Sequence, residues 1–137
     1  MSSKTQTIEK TYLATSKKMS ILVVDDEPGW RDLLSLELSS EDCRVVTASN
    51  ADEALKLLQA QSFDLIITDA RMPGSLDGID LIKTYRKKRP GQKALFITGY
   101  AIEEKIESTL EEGMVLCLKK PFHSEELLRI IQGLLAI

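Results

Sequence analysis

Five polar residues stand where short apolar stretches of this chain end, and together they carry the groups that phosphoryl chemistry needs. Asp25 and Asp26 follow ILVV, Asp69 follows LIIT, Thr98 follows ALFI and Lys120 follows MVLCLK. If these stretches are strands of one parallel sheet, their carboxyl ends share an edge and the five side chains converge. Clustered carboxylates repel one another unless a cation joins them, and Mg²⁺ prefers oxygen ligands. A hydroxyl and an ammonium suit phosphoryl oxygens, so the pattern predicts Mg²⁺-dependent phosphoryl chemistry on an aspartate.

The elements that must position these residues alternate between continuous apolar runs and helical segments. Runs without polar interruption are typical of strands buried on both faces, so the pattern predicts an α/β fold with a doubly wound parallel sheet. Pro28 suits the first turn of a helix, and either Ser49 or Asn50 can cap the next helix, with Glu53 three residues beyond Asn50. The predicted strands are Ser20–Val24, Cys43–Ala48, Phe63–Thr68, Lys93–Thr98 and Met114–Lys119. The predicted helices run from Pro28 to near Ser40, from a cap at Ser49 or Asn50, from about Gly78 to Lys88, from about Ile102 to Glu112, and from a cap at Ser124.

Composition places the chain among ordinary single-domain globular proteins. It has 137 residues, of which 43% are hydrophobic and 28% charged, and its net charge of −3 gives no reason to expect nucleic acid. Cys43 and Cys117 lie in apolar runs, which predicts buried, reduced thiols in a cytoplasmic protein. No apolar run is long enough to span a bilayer. We expect a flexible N-terminal arm at residues 1–18 and one domain at residues 19–137.

With these positions established, the chain resembles the response-regulator receiver domain of bacterial two-component signalling, whose fold is that of the chemotaxis regulators. Four signatures carry the resemblance, in order and each at a predicted strand end: LVVDDEP, FDLIITDARMPG with a following DG, LFITGYA, and LKKPF. The resemblance covers about residues 20–137. It implies a five-stranded, flavodoxin-like three-layer sandwich with strand order 2-1-3-4-5. It also implies a phosphorylation switch that takes its phosphoryl group from a histidine kinase or a phosphotransfer protein.

The resemblance assigns a role to each acidic residue of the predicted cluster. Asp69 would be the phosphoacceptor. Asp26 would bind Mg²⁺ directly, and Asp25 would act through water or by orienting its neighbours. Asp69 and the backbone carbonyl of Arg71 would be further metal ligands. The alternatives are a loop or helix-capping role for Asp69 and a solvated acidic turn for the aspartate pair.

Lys120 and Thr98 would act on the phosphoryl group. Lys120 would pair with Asp69 at rest and with a phosphoryl oxygen afterwards, and its neighbour Lys119 competes for this role. Strand alternation places the two lysines on opposite faces, and Lys120 is the one that abuts Pro121 in the KPF signature. The family implies a cis bond between Lys120 and Pro121. Thr98 would donate its hydroxyl to the phosphoryl group, the alternative being an ordinary β-branched strand end.

Two departures from the family pattern bear on how the switch works. The family often has an aromatic residue three positions before the lysine, where this chain has Cys117, so a coupled threonine–aromatic switch is not expected. The loop between Asp69 and Gly78 is one residue longer than the common form, which should reshape the start of the third helix.

Arg71 and Tyr100 occupy the positions that flank the phosphoryl group in the family, and we hypothesise that their bulk slows hydrolysis of the acyl phosphate.

Other functions fit the same residues less well. A phosphatase of the haloacid-dehalogenase type uses Asp, Thr, Lys and Mg²⁺, but its D-x-D-x-T motif does not match Asp25–Gly29. A receiver that serves only for docking remains open because of Cys117. We therefore predict a phosphoacceptor with only self-phosphotransfer and slow autodephosphorylation, rather than an enzyme. Its partners would include an unknown output partner or domain, and a homodimer could form through helix 4, strand 5 and helix 5. No membrane or direct nucleic-acid partner is expected.

Overall fold

A five-stranded parallel sheet forms the centre of the computed structural model, which describes residues 18–99 and 104–135. The strands are β1 Met19–Val24, β2 Cys43–Ala48, β3 Leu65–Asp69, β4 Lys93–Thr98 and β5 Val115–Lys119. They lie in the order β2-β1-β3-β4-β5, and all neighbouring pairs are parallel. The predicted strand order and fold class are confirmed. The predicted arm lies outside the described residues, except for Lys18.

Helices connect the strands and cover both faces of the sheet. They are α1 Pro28–Leu38, α2 Ala51–Ala60, α3 Gly78–Lys88, α4 Glu104–Glu107 and α5 Ser124–Leu135. Pro28 occupies the first turn of α1, and the Asn50 side chain accepts a hydrogen bond from the Glu53 amide at 2.8 Å. The last helix begins at Ser124 itself, so His123 and not Ser124 takes the capping position. Within the described ranges, no helix has both the length and the apolar character needed to cross a membrane.

The fourth helix is much shorter than the sequence predicts. It ends at Glu107, whereas the apolar spacing predicted a helix to about Glu112; the predicted start at Ile102 lies outside the described residues. The Ser108 and Thr109 hydroxyls both donate to the Lys105 carbonyl, at 2.9 and 3.1 Å. Such hydroxyls compete with the helical ladder. The chain then turns through hydrogen bonds between residues three apart in the sequence, and Glu111 and Val115 form an isolated antiparallel β-bridge.

Four strand boundaries also differ from the prediction by one or two residues. β1 begins one residue earlier, at Met19, and β3 ends one residue later, at Asp69. The other two differences are later strand starts, and each has a local reason. The third strand starts at Leu65 instead of Phe63; just before it, the Ser20 amide donates to the Asp64 carboxylate at 2.8 Å and not to a backbone carbonyl. The fifth strand starts at Val115 because the Met114 amide donates to Glu111 within the preceding turn. Neither later start moves the carboxyl ends of the strands, where the predicted site lies.

The sheet separates two hydrophobic clusters. On one face, the side chains of α2, α3 and Ile106 of α4 pack against alternate strand residues such as Leu22, Ile66 and Phe96. On the other face, α1 and α5 pack against the intervening strand residues, among them Val23 and Ile67. Because β1, β3 and β4 are buried on both sides, their backbones are held firmly up to the last residue. The polar residues that follow these strands therefore start from fixed positions.

Candidate functional site

The Lys120 ammonium lies between two carboxylates at the carboxyl edge of the sheet. Its Nζ atom is 3.2 Å from Asp25 Oδ2 and 3.2 Å from Asp69 Oδ2. The lysine side chain is only 10% exposed, and its neighbour Lys119 is exposed to solvent. The structure therefore brings Lys120, and not Lys119, to the two aspartates. The Lys120–Pro121 peptide bond is cis.

Asp25 is fixed by the turn that joins β1 to α1. Asp25 is 2% exposed, and its Oδ1 atom accepts a hydrogen bond from the Glu27 amide at 2.9 Å. The Arg31 guanidinium donates to the Asp25 carbonyl at 2.6 Å, which ties the first helix to the same turn. Asp26 is exposed beside it. One aspartate of the pair is thus held as part of the framework, and the other faces solvent.

Asp69 ends β3 in a largely enclosed position. Its Oδ1 atom accepts a hydrogen bond from the Arg71 amide at 3.1 Å, and its Oδ2 atom faces Lys120. Burial raises the pKa of Asp69 above its ordinary value, although the Arg71 amide and the Lys120 charge act in the opposite direction. The nearby Asp25 charge adds to the increase. A second cation near Asp69 would therefore favour its ionised form.

Three carboxylates at this edge are close enough to share one metal ion. Asp25, Asp26 and Asp69 each offer an oxygen, and these oxygens all lie within 4.8 Å of one another. Around Mg²⁺, ligand oxygens lie about 3 Å apart along an octahedral edge and about 4.2 Å apart across the centre. The cluster thus needs only a small contraction to fit a Mg²⁺ ion, and its all-oxygen donors match the chemistry of that ion.

Thr98 lies at the end of β4 beside the lysine segment. It is fully buried, and its carbonyl accepts the Lys120 amide at 2.7 Å. Thr98 pairs with Lys119 in the sheet, and Asp69 pairs with Ile97. All five polar residues named from the sequence are therefore attached to the same edge.

Gly78 brings the first residue of α3 against the backbone of the site, which the sequence did not lead us to expect. A Cβ atom on Gly78 would lie 1.8 Å from the Asp69 carbonyl oxygen and 2.8 Å from Thr68 Oγ1. Asp77 precedes it and caps the helix by accepting the Asp80 amide at 2.9 Å. The Asp-Gly pair after a turn-rich loop was the available signal. It indicated a turn but not this close approach.

A polar network joins the loop after β3 to α4. Arg71 Nη1 is 3.0 Å from Asp77 Oδ2, and Lys105 Nζ is 3.5 Å from Asp77 and 3.2 Å from Asp80. Burial acts to raise the pKa of Asp80, but the Asp77 amide and Lys105 outweigh it, so the pKa is lowered. The pKa of Lys105 is raised, chiefly by its hydrogen bond to Asp80. The sequence analysis did not foresee this network, because its members belong to three separate segments.

Trp30, in the first turn of α1, lies beside Lys120. The Lys120 Nζ atom lies over the Trp30 ring, 4.3 Å from the centroid. The Phe122 ring packs against Trp30 with 5.5 Å between centroids. The residue thus borders the polar site, and only its position early in α1 could have indicated this.

Comparisons with known proteins agree with the fold. A family model described as response regulator receiver domain matches residues 21–132. The chain is 40% identical over 122 residues to an uncharacterized 14.6 kDa protein of Leptolyngbya boryana, covering 88% of this chain and 92% of that protein. It is 34% identical over 119 residues to the transcriptional regulatory protein GlrR of Escherichia coli K12, covering 87% of this chain and 27% of the regulator. The chain thus spans nearly all of the first relative and about a quarter of the second.

A solved structure extends the comparison to three dimensions. The response regulator protein TrrA of Thermotoga maritima, in complex with Mg²⁺-BeF, is similar with a TM-score of 0.74 and 34% sequence identity. The similarity covers 85% of this chain and 98% of that one.

Proposed function

Because the chain belongs to the response regulator receiver domain family, a class of signalling domains, we propose that Asp69 is its phosphoacceptor. The observation that carries this proposal is the position of Lys120, 3.2 Å from both Asp69 and Asp25 at the carboxyl edge of the sheet. An ammonium held there orients the attacking carboxylate and can meet the charge that develops on a phosphoryl group. With a phosphohistidine as the donor, a carboxylate oxygen of Asp69 forms the new bond to phosphorus while the phosphorus–nitrogen bond of the phosphohistidine breaks. The electron pair leaves with the imidazole.

Mg²⁺ is the cofactor that best fits the acidic cluster. When bound, it would neutralise the carboxylates and the incoming phosphoryl oxygens. Asp26 and Asp69 would bind it directly, Asp25 would bind through water or orient its neighbours, and the Arg71 carbonyl would complete the protein ligands. The TrrA structure, which contains Mg²⁺-BeF, supports this assignment.

Phosphorylation changes the charge at a site that is already crowded with carboxylates. A phosphoryl group brings about 1.5 to 2 negative charges, which attract Lys120 and the Thr98 hydroxyl. We expect Thr98 to donate to a phosphoryl oxygen and the segment after β4 to rearrange, so that the domain shifts between two states. Cys117 packs against the cluster of α2 and α3, at the position where the family often has an aromatic residue. We therefore do not expect the coupled movement of the threonine and an aromatic ring in this chain.

The proposal extends to the organisation and partners of the protein. The receiver domain would occupy residues 19–137 and follow an arm at residues 1–18. The donor would be a histidine kinase or a phosphotransfer protein, and an output partner or domain, or a dimer through α4, β5 and α5, would respond. GlrR, a transcriptional regulatory protein of which this chain covers 27%, illustrates an output attached to such a segment. The free thiols of Cys43 and Cys117 support a cytoplasmic location.

Slow loss of the phosphoryl group is part of the same proposal. Arg71 is held by Asp77 at 3.0 Å, next to the phosphoacceptor. We propose that Arg71 and Tyr100, which lies outside the described residues, restrict the approach of water to the acyl phosphate. Replacing both with alanine and timing phosphate release tests this, and an unchanged lifetime would refute it.

Intact mass spectrometry after incubation with acetyl phosphate tests the main assignment. We expect a Mg²⁺-dependent gain of one phosphoryl group in the wild type, no gain in Asp69→Asn, and a normal gain in Asp52→Asn, which removes an exposed aspartate of α2. Labelling of Asp69→Asn at the wild-type rate would refute the assignment. If acetyl phosphate labels no variant, the same comparison is made with a phosphorylated histidine phosphotransfer protein as the donor.

A further inference from the structure

The face of a tryptophan ring forms the third side of the Lys120 site. The ammonium lies 4.3 Å from the Trp30 ring centroid and 3.2 Å from a carboxylate oxygen of each of Asp25 and Asp69. Phe122, two residues after the lysine, packs against the same ring. The lysine side chain is 10% exposed, so little water lies between these groups. An aromatic face attracts a cation most strongly under such conditions.

This contact differs from the two ion pairs in what it leaves available. A carboxylate occupies N–H donors of the ammonium, whereas the ring attracts the charge through its quadrupole and takes no hydrogen bond. Lysine also has a flexible four-carbon stem that must be held to keep its charge in one place. The ring therefore confines the ammonium while leaving its N–H groups free to turn from Asp69 to a phosphoryl oxygen.

We propose that Trp30 is a positioning residue for the phosphorylation of Asp69, which it serves by holding the Lys120 ammonium against its indole face before and after the phosphoryl group arrives. This inference rests on the proposed role of Lys120. Trp30 touches neither Asp69 nor the donor in this scheme and acts only through the lysine. Its place on the first turn of α1, beside the turn that carries Asp25, keeps the ring at a fixed distance from the sheet edge.

Substitutions of Trp30 separate this role from simple packing. We expect Trp30→Leu to slow phosphorylation of Asp69 by acetyl phosphate by about tenfold, and Trp30→Phe to restore most of the rate, because a phenyl face still attracts the ammonium. In a Lys120→Ala background, Trp30→Leu should cause no further loss, since the group that it positions is gone. An equal loss with and without Lys120 would overturn the proposal in favour of packing.

An NMR measurement tests the contact between Trp30 and Lys120 without any phosphorylation reaction. In the wild type, the ring current of Trp30 should shift the Lys120 ε-methylene protons upfield in the NMR spectrum. This shift should persist in Trp30→Phe and vanish in Trp30→Leu. A Lys120 resonance at its ordinary position in the folded wild type would overturn the proposal.

The outcomes also distinguish this inference from the proposed function. If Asp69→Asn is labelled as fast as the wild type, the phosphoacceptor assignment fails. If only Asp69 is labelled and Trp30→Leu reacts at the wild-type rate, the assignment stands and the role of Trp30 fails. Thermal unfolding of Trp30→Leu, together with its unphosphorylated circular dichroism spectrum, establishes that the compared variants are folded.

Discussion

Adding one methyl group at Gly78 should disturb the phosphorylation site through its backbone. A Cβ atom there would lie 1.8 Å from the Asp69 carbonyl oxygen and 2.9 Å from the Asp69 carbonyl carbon, and real Cβ contacts keep at least 3.0 Å. The Gly78→Ala variant must therefore separate α3 from the end of β3 by about 1.2 Å. Neither partner is a flexible side-chain end, so the backbone itself has to move.

The size of the effect follows from this displacement. Overpacking of this kind costs about 1–3 kcal/mol, and each kcal/mol lowers the melting temperature of a domain of this size by about 4 °C. A shift of about 1 Å in a reacting group can cost about a hundredfold in rate. We thus expect Gly78→Ala to melt at least several degrees below the wild type. Its phosphorylation should slow by about one to two orders of magnitude.

The assay combines differential scanning calorimetry with the acetyl phosphate mass measurement. The matched control is Gly133→Ala in α5, where a Cβ atom meets nothing within 4 Å. Alanine in a helix is favoured over glycine by about 0.8–1.0 kcal/mol, so this control should be stabilised and labelled normally. A Gly78→Ala protein with the melting temperature and labelling rate of the wild type would refute the steric argument.

Three further predictions concern the metal, the polar network and the thiols. Mg²⁺ at ten times its dissociation constant should raise the free energy of unfolding by about 1.4 kcal/mol, an effect that Asp26→Asn should reduce or abolish in chemical denaturation with and without the ion. Lys105→Met should lower stability across neutral pH, but its difference from the wild type should shrink in urea titrations as the pH falls below about 3.9, the ordinary pKa of an aspartate. The reason is that the lowered pKa of Asp80 gives stability that is lost as the carboxylate protonates, while the raised pKa of Lys105 keeps the lysine charged up to alkaline pH; a difference that persists in acid would contradict this pairing. Burial raises the pKa of both Cys43 and Cys117, so iodoacetamide should modify them slowly in the folded protein at neutral pH and rapidly in urea, as followed by mass spectrometry.

The strand ends could be predicted from the sequence because local pattern and global fold agree there. Each of the runs before Asp25, Asp69 and Thr98 is apolar without interruption, as a strand buried on both faces requires. The helix α4 could not be delimited in this way. Its apolar spacing continued to Leu110, but the hydroxyls of Ser108 and Thr109 bond back to the Lys105 carbonyl, and the helix ends.

Other features depend on contacts between segments that are distant in the sequence. Trp30 has the spacing of a core residue, and only the folded chain shows Lys120 lying over its ring. Gly78 is one of several turn residues in its loop, and only the packing of α3 on β3 shows why a side chain cannot fit. Such contacts leave no periodic signal, so a single sequence does not reveal them.

The two hydrophobic clusters on opposite faces of the sheet are two parts of the core whose residues can be substituted independently. Leu134 belongs to the cluster of α1 and α5, and Leu58 belongs to the cluster of α2 and α3. The sheet separates them, so substitutions on the two sides should add in their effects on folding. A lineage could therefore adapt α1 and α5 to one partner while α2 and α3 drift, without requiring compensating changes across the sheet. Duplicated copies of such a domain would have a short evolutionary path to separate partners.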